Sequence, residues 1–193
     1  KKNVRGRFII DIIVSLPLAL PPVTVGYFLL ILLGRNGPIG SAMYTLFGID
    51  LVFTWVAAAL ASSVVSFPLM ARTIMVAMEN VDKNIELSAR SLGAGIMRTF
   101  CTVTLPLAYR GILAGILLGF IRALSEFGAT IVVAGNIANR TQTLPLAIFE
   151  RVLLGDNQMA LRLVGLSLVL AIITLFTYNW LLSRTFEKRD STH

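Results

Sequence analysis

Histidine, cysteine and charge are nearly missing from this sequence. Its one histidine, His193, is the last residue, and its one cysteine is Cys101. A lone cysteine permits no internal disulfide. A lone terminal histidine argues against imidazole catalysis and against a His/Cys metal cage. Charged residues make up 14% of the 193, against roughly 25% in an ordinary soluble domain. That is too little polar surface to cover a globule facing water. No Gly-x-x-x-x-Gly-Lys-Ser/Thr phosphate loop occurs, which excludes ATP hydrolysis by that route. The start of the chain carries no secretory signal pattern.

Apolar residues take the place of the missing charge. They form 56% of the chain, and the mean hydropathy is +0.80. Lipid is the solvent such a composition matches. About 20 apolar residues cross the hydrocarbon core as a helix. Residues 8–34, 51–78, about 107–134 and about 159–183 qualify. The first stretch is interrupted by Pro17, Pro21 and Pro22, so it is expected to face protein rather than lipid. Pro68 is expected to kink the second. Residues 34–48, punctuated by glycine and proline, read as a loop with a short interfacial turn. Residues 143–156 are too short to span and carry Glu150 and Arg151, so they read as a short surface helix.

The formal net charge of +7 raises nucleic acid as a partner, but the basic residues line no single groove and no aromatics interleave with them. The positive-inside rule explains their placement better. With residues 79–106 and both termini cytoplasmic, the inner side holds Lys1, Lys2, Arg5, Arg7, Arg72, Lys83, Arg90, Arg98, Arg110, Arg184, Lys188 and Arg189. The outer side holds only Arg35, Arg140, Arg151 and Arg162. Twelve against four sets the expected orientation.

The connection "ENVDKNIELSARSLGAGIMRTFCTVTLPLA", residues 79–108, repeats apolar residues at Val81, Ile85, Ala89, Leu92, Ile96 and Phe100. This is the three-and-four spacing of one helical face. Glu79 with Lys83, and Glu86 with Arg90, are acid-before-base pairs on the other face. An amphipathic helix is expected here, ended or sharply bent by Gly93 and Gly95. Periodicity alone is satisfied by a helix resting on the bilayer surface.

Small residues at Ser88 and Ala89, Gly93 four positions after Ala89, and Leu105-Pro106 a dozen residues on resemble the cytoplasmic signature loop of ABC-importer permeases. In that family the loop forms coupling helices that dock into a cleft on the ATPase subunit. Small side chains let a partner approach closely, and a glycine permits a sharp turn at the tip. The resemblance assigns coupling to Glu86, Ser88, Ala89 and Gly93. Leu87 stands where the motif usually has its glutamate, with Glu86 one residue earlier.

The stretches "LPLALPPVTVGY", "SFPLMAR", "SARSLGAG", "TLPLA", "SEFGATIVVAGNI" and "TQTLPLAIF" are together similar to the molybdate branch, in the expected order over about residues 10–185. Sulfate and thiosulfate permeases share the Glu-Phe-Gly core and are the alternative. The resemblance implies an all-α, polytopic membrane protein with a type I importer bundle and a cytoplasmic coupling helix, forming a single transmembrane domain. It implies a permease that is no enzyme and carries no cofactor or metal, working in the cell membrane among lipid. Its expected partners are a second copy of itself, two cytoplasmic ATP-binding subunits and an extracytoplasmic molybdate-binding protein, with no nucleic acid. A further membrane helix ahead of residue 1 is also implied.

Arg122 and Glu126 stand four residues apart in an apolar run. On one helix they would share a face, one turn apart, and neutralise each other. Two readings stand: a pair that fixes helix packing, or part of a translocation path, since ionisable groups in membranes usually face a bundle interior or a water-filled cavity. A carboxylate repels a dianion. Ser125 and Thr130 are therefore the expected hydroxyl donors, with Arg122 as attractor and Glu126 orienting them. An intramembrane enzyme would need a nucleophile with a base, and Glu126 is the one clear mid-span acid. Asp11 reads as interfacial, Asp50 as a helix N-terminal acid, and Trp55 and Trp180 as belt residues. Gly111, Gly115 and Gly119 read as a close-packing stripe.

Overall fold

The computed structural model describes residues 7–190, with side chains described from Ile9 to Leu181. Lys1, Lys2 and Arg5 of the charge count lie outside the described residues, as do the side chains of Arg7, Arg184, Lys188 and Arg189. Among the described residues every regular element is helical. In chain order these are α1 (Arg7–Ala19), α2 (Pro22–Leu33), α3 (Pro38–Phe47), α4 (Trp55–Glu79), α5 (Lys83–Ser91), α6 (Ile96–Thr99), a π-helical turn (Phe100–Thr104), α7 (Leu105–Leu124), α8 (Gly128–Ala134), α9 (Leu144–Leu153) and α10 (Asn157–Asp190).

Three stretches are long and apolar enough to cross a membrane: Trp55–Glu79, Ile96–Leu124 and Asn157–Leu181. A fourth, Ile9–Ala19 with Pro22–Leu33, is bent by 113° at its break. Consecutive prolines cause that bend. Pro22 holds Pro21 extended, at ψ 135°, and restarts the helix at a position where its own missing N–H has no intrahelical role. Pro17 and Pro68, by contrast, lie inside continuous helices. Pro68 is fully buried, so protein surrounds the backbone it leaves unbonded.

Three expectations are corrected. Residues 34–48 contain the ten-residue helix α3 rather than a loop with a turn. The glycines and proline that suggested a loop are its boundary signals: Gly37-Pro38 opens it, and Gly48, at φ +67°, closes it with its N–H donated to Tyr44 O. The stretch expected as one span over 107–134 is instead a helix from Ile96 to Leu124, a break, and the short α8. Asp50 does not begin α4. That role falls to Thr54, whose Oγ1 accepts from Ala57 N–H at 3.2 Å. Asp50 meets the Arg35 guanidinium at 3.8 Å, with both side chains more than half exposed, and an exposed pair of this kind adds little stability.

The chain divides into two compact units, one from the residues up to Pro68 with Phe120–Ala171, the other from Leu69–Gly119 with the residues from Ile172 on. In the first, α2, the start of α4, and α8 bury Val25, Leu33, Ala57, Ala58, Ala61, Val65, Ala129, Val133 and Ala134 together. Small residues dominate because the backbones nearly touch. A Cβ on Gly26 would lie 2.8 Å from Ala129 Cα, so any side chain there forces α2 and α8 apart. In the second unit, α7 packs on the end of α4 through its glycines. Added Cβ atoms at Gly111, Gly115 and Gly119 would meet Ala77, Ile74 and Met70 at 2.4, 2.8 and 2.8 Å. The packing reading of that stripe is what the structure has.

Elsewhere large apolar side chains point outward. Phe176 is 72% and Leu161 70% exposed on α10. Patches of that extent are rare on soluble monomers and suit contact with lipid or another membrane chain.

Candidate translocation and coupling sites

Arg122 and Glu126 do meet, but not as neighbours on one helix. Helix α7 ends at Leu124, and Ser125, Glu126 and Phe127 form the break before α8. Glu126 is 2% exposed. Its Oε2 accepts from Arg122 Nη1 at 2.8 Å, and its Oε1 accepts from Ala129 N–H, in the first turn of α8, at 2.9 Å. One carboxylate therefore holds the last turn of the incoming helix and caps the first turn of the outgoing one. The helix dipole of α8 adds a favourable partial charge facing it. At this junction the two charges of the apolar run are each other's partners.

The other residues expected along a path divide by exposure. Ser125 is exposed, and its hydroxyl donates to Arg122 O at 3.0 Å. Arg122 keeps 29% of its side-chain surface. Thr130 is wholly buried, and its hydroxyl lies 2.9 Å from Phe127 O and 3.3 Å from Glu126 O. Its proton thus closes the break from the α8 side. Phe127 stacks edge-on against Phe149 of α9, with ring centroids 5.1 Å apart.

Beyond α8 the chain turns through Gly135, at φ +70°, into a polar stretch that leads to α9. Glu150 Oε2 accepts from Asn136 Nδ2 at 3.2 Å and from Gln142 Nε2, and Gln142 also donates to Asn136 Oδ1 at 3.1 Å. Thr141 Oγ1 accepts from Ile137 N–H at 3.0 Å. The bonds to Glu150 fasten the turn to α9. The signal for them was compositional only: four amide- or hydroxyl-bearing residues within eight, followed by a single acid on the next helix.

In the other unit, Asp82 caps α5 by accepting from Asn84 N–H at 2.8 Å. The helix runs nine residues, and Gly93 then adopts φ +89°. Nothing lies within 4 Å of where its Cβ would be, so the positive φ rather than crowding calls for glycine there. The tip is apolar and outward: Leu92 is 89% exposed, with Leu87, Ile96 and Met97 also exposed. Ser88 is exposed and Ala89 half-buried. Glu86 faces its own chain, not outward, and its Oε1 accepts from Thr104 Oγ1 at 2.5 Å. The expected Glu86–Arg90 pair gives way to that bond.

Residues 1–187 match the family model described as the binding-protein-dependent transport system inner membrane component. The chain belongs to that family. Its members are inner-membrane components of transport systems that depend on a binding protein. A relative from Haemophilus influenzae, molybdenum transport system permease protein ModB, is 45% identical over 189 residues, covering 97% of this chain and 82% of its own. The Escherichia coli protein of the same name is 48% identical over 177 residues, 91% of this chain and 77% of its own. A sulfate transport system permease protein, CysT of E. coli, is 36% identical over 188 residues, 97% of this chain and 67% of its own.

Proposed function

We propose that this chain is the permease subunit of an ABC importer for molybdate, with tungstate as a second cargo. It works as a homodimer with two cytoplasmic ATPase subunits and an extracytoplasmic binding protein. The observation that carries the cargo is the identity to molybdenum permeases, 45% and 48% over nearly the whole chain, against 36% to a sulfate permease. Orientation follows from the basic residues: 79–106 and the termini on the cytoplasmic side.

Two parts of the structure support the mechanism. The exposed apolar tip around Gly93 suits insertion into a cleft on an ATPase. The break between α7 and α8 suits an oxyanion path for an electrostatic reason. A dianion is repelled by a free carboxylate, but Glu126 is buried and already takes two donors. Arg122 and Ser125 remain the accessible members, one positive and one hydroxyl. Ser125 has to release Arg122 O to donate to an anion, whereas the buried Glu126 and Thr130 hold the backbone of the break. Alternation between outward- and inward-open states follows ATP-driven movement of the docked loops.

Gly93→Trp tests the coupling part. A bulky β-carbon-bearing residue at φ +89° strains the turn and enlarges the tip. It is expected to reduce co-purification of the ATPase, or its stimulation in reconstituted vesicles, while leaving membrane insertion intact. Normal stimulation and normal uptake would refute docking through this tip.

A further inference from the structure

The π-helical turn Phe100–Thr104 sits between α6 and α7 in an otherwise continuous helix. Such turns are rare and are found frequently at functional sites. Thr99 and Thr104 stand five positions apart, and both are buried. In an α-helix, at 3.6 residues per turn, positions five apart point about 140° away from each other. With i→i+5 bonding, as from Leu105 N–H to Phe100 O, they come back toward one side. Thr104 then reaches α5 and donates to Glu86 Oε1 at 2.5 Å. Thr99 Oγ1 is also buried, with no hydrogen-bond partner, which is a cost in this register.

From these contacts we infer that Glu86 and Thr104 form the rigid link between the coupling helix and the membrane helix, by holding the π register at the start of α7. Glu86 is thus a positioning residue for coupling and not a contact to the ATPase. It spans 18 residues of sequence and joins α5, which carries the exposed tip, to the helix that continues into α7. With the bond in place, a displacement of α5 is carried into α7. Without it the turn relaxes to α, Thr104 rotates away, and α5 moves alone. The link rests on the coupling reading above for its role in transport, but its structural part stands apart from that reading.

The test uses the assembled transporter with Thr104→Val, which keeps shape and burial but removes the hydroxyl, with Glu86→Ala, and with Thr104→Ser, which keeps the donor. A hydrogen bond to a charged group shifts a local opening equilibrium by roughly ten- to a hundredfold. Amide hydrogen exchange across residues 99–105 is therefore expected to speed by about that factor in Thr104→Val and in Glu86→Ala. Thr104→Ser should exchange as the unchanged protein does. The double variant should exchange no faster than either single one. In vesicles, Thr104→Val should retain the bound ATPase and its hydrolysis while uptake per ATP hydrolysed falls several-fold, and Thr104→Ser should restore the ratio. Unchanged exchange in Thr104→Val would overturn the link, and so would faster exchange with an unchanged uptake ratio. Loss of the ATPase from Thr104→Val would also overturn it, by placing the pair in docking. Failure of the coupling reading is separately visible, as normal transport by Gly93→Trp.

Discussion

At the scale of single residues, the junction at Glu126 concentrates the most consequence in the fewest atoms. Its carboxylate has two partners of different kinds, a guanidinium and a helix N-terminal N–H, so its substitutions are expected to differ. Removing one partner of a buried ion pair costs about 3–5 kcal/mol, while replacing both with neutral groups is often nearly neutral. Arg122→Met leaves the buried Glu126 with one oxygen unpaired and should lower the folded yield in detergent sharply. Adding Glu126→Gln should recover much of that loss, because a glutamine oxygen still caps Ala129 without carrying charge. Glu126→Ala added to Arg122→Met should recover less, since the cap is lost too. Equal yields from the two double variants would show that the cap contributes nothing. Additive losses in Arg122→Met/Glu126→Gln would show that the two residues are not a pair.

At the scale of elements, contacts between helices depend on residues too small to attract notice singly. The stripe on α7 ranks its own substitutions. Gly111→Ala places a Cβ 2.4 Å from that of Ala77, which has no rotamer by which to move aside. Gly119→Ala meets Met70 Cβ at 2.8 Å, a smaller overlap than the 2.4 Å at Gly111. Overpacking costs about 1–3 kcal/mol, so Gly111→Ala should lower the melting temperature in detergent clearly and Gly119→Ala less. Gly165→Ala, with open space around it in α10, should leave stability unchanged or slightly raised. Equal melting temperatures for all three would remove the stripe from the packing of α7 on α4.

The elements also show what a sequence can disclose. Hydropathy and three-and-four spacing carry the membrane helices and α5, because burial in lipid and amphipathicity are written at the scale of neighbouring residues. The break after Leu124 was not legible. Residues 107–134 carry no charge apart from Arg110, Arg122 and Glu126, so hydropathy runs on across a break that one carboxylate, one guanidinium and one N–H hold. The π turn and the Glu86–Thr104 bond were hidden for a similar reason: no periodicity relates residues 18 apart. Helix α3 was hidden by its own punctuation, since Gly37, Pro38 and Gly48 mark a loop and the two ends of a helix equally well.

At the scale of the whole molecule, the proposed transport cycle rests on the proposed orientation, the exposed tip and the charged junction. The orientation places Asn36 and Ala138, both exposed, outside, and Lys83 inside. In a Cys101→Ser background, cysteines at the first two positions should react with an impermeant thiol reagent on intact cells, and one at Lys83 only after the membrane is opened. Ala138 is preferred to Asn139 for this purpose, because Asn139 sits at φ +60°, where a cysteine is strained. The reversed pattern would invert the cycle and remove the tip from the ATPase side.

Cargo is the claim on which the functional reading stands. It is tested most directly by uptake into vesicles holding this protein, its ATPase and its binding protein. Labelled molybdate should accumulate only with ATP inside and binding protein outside, tungstate should compete, and excess sulfate should not. Accumulation of sulfate in place of molybdate under the same conditions would contradict it.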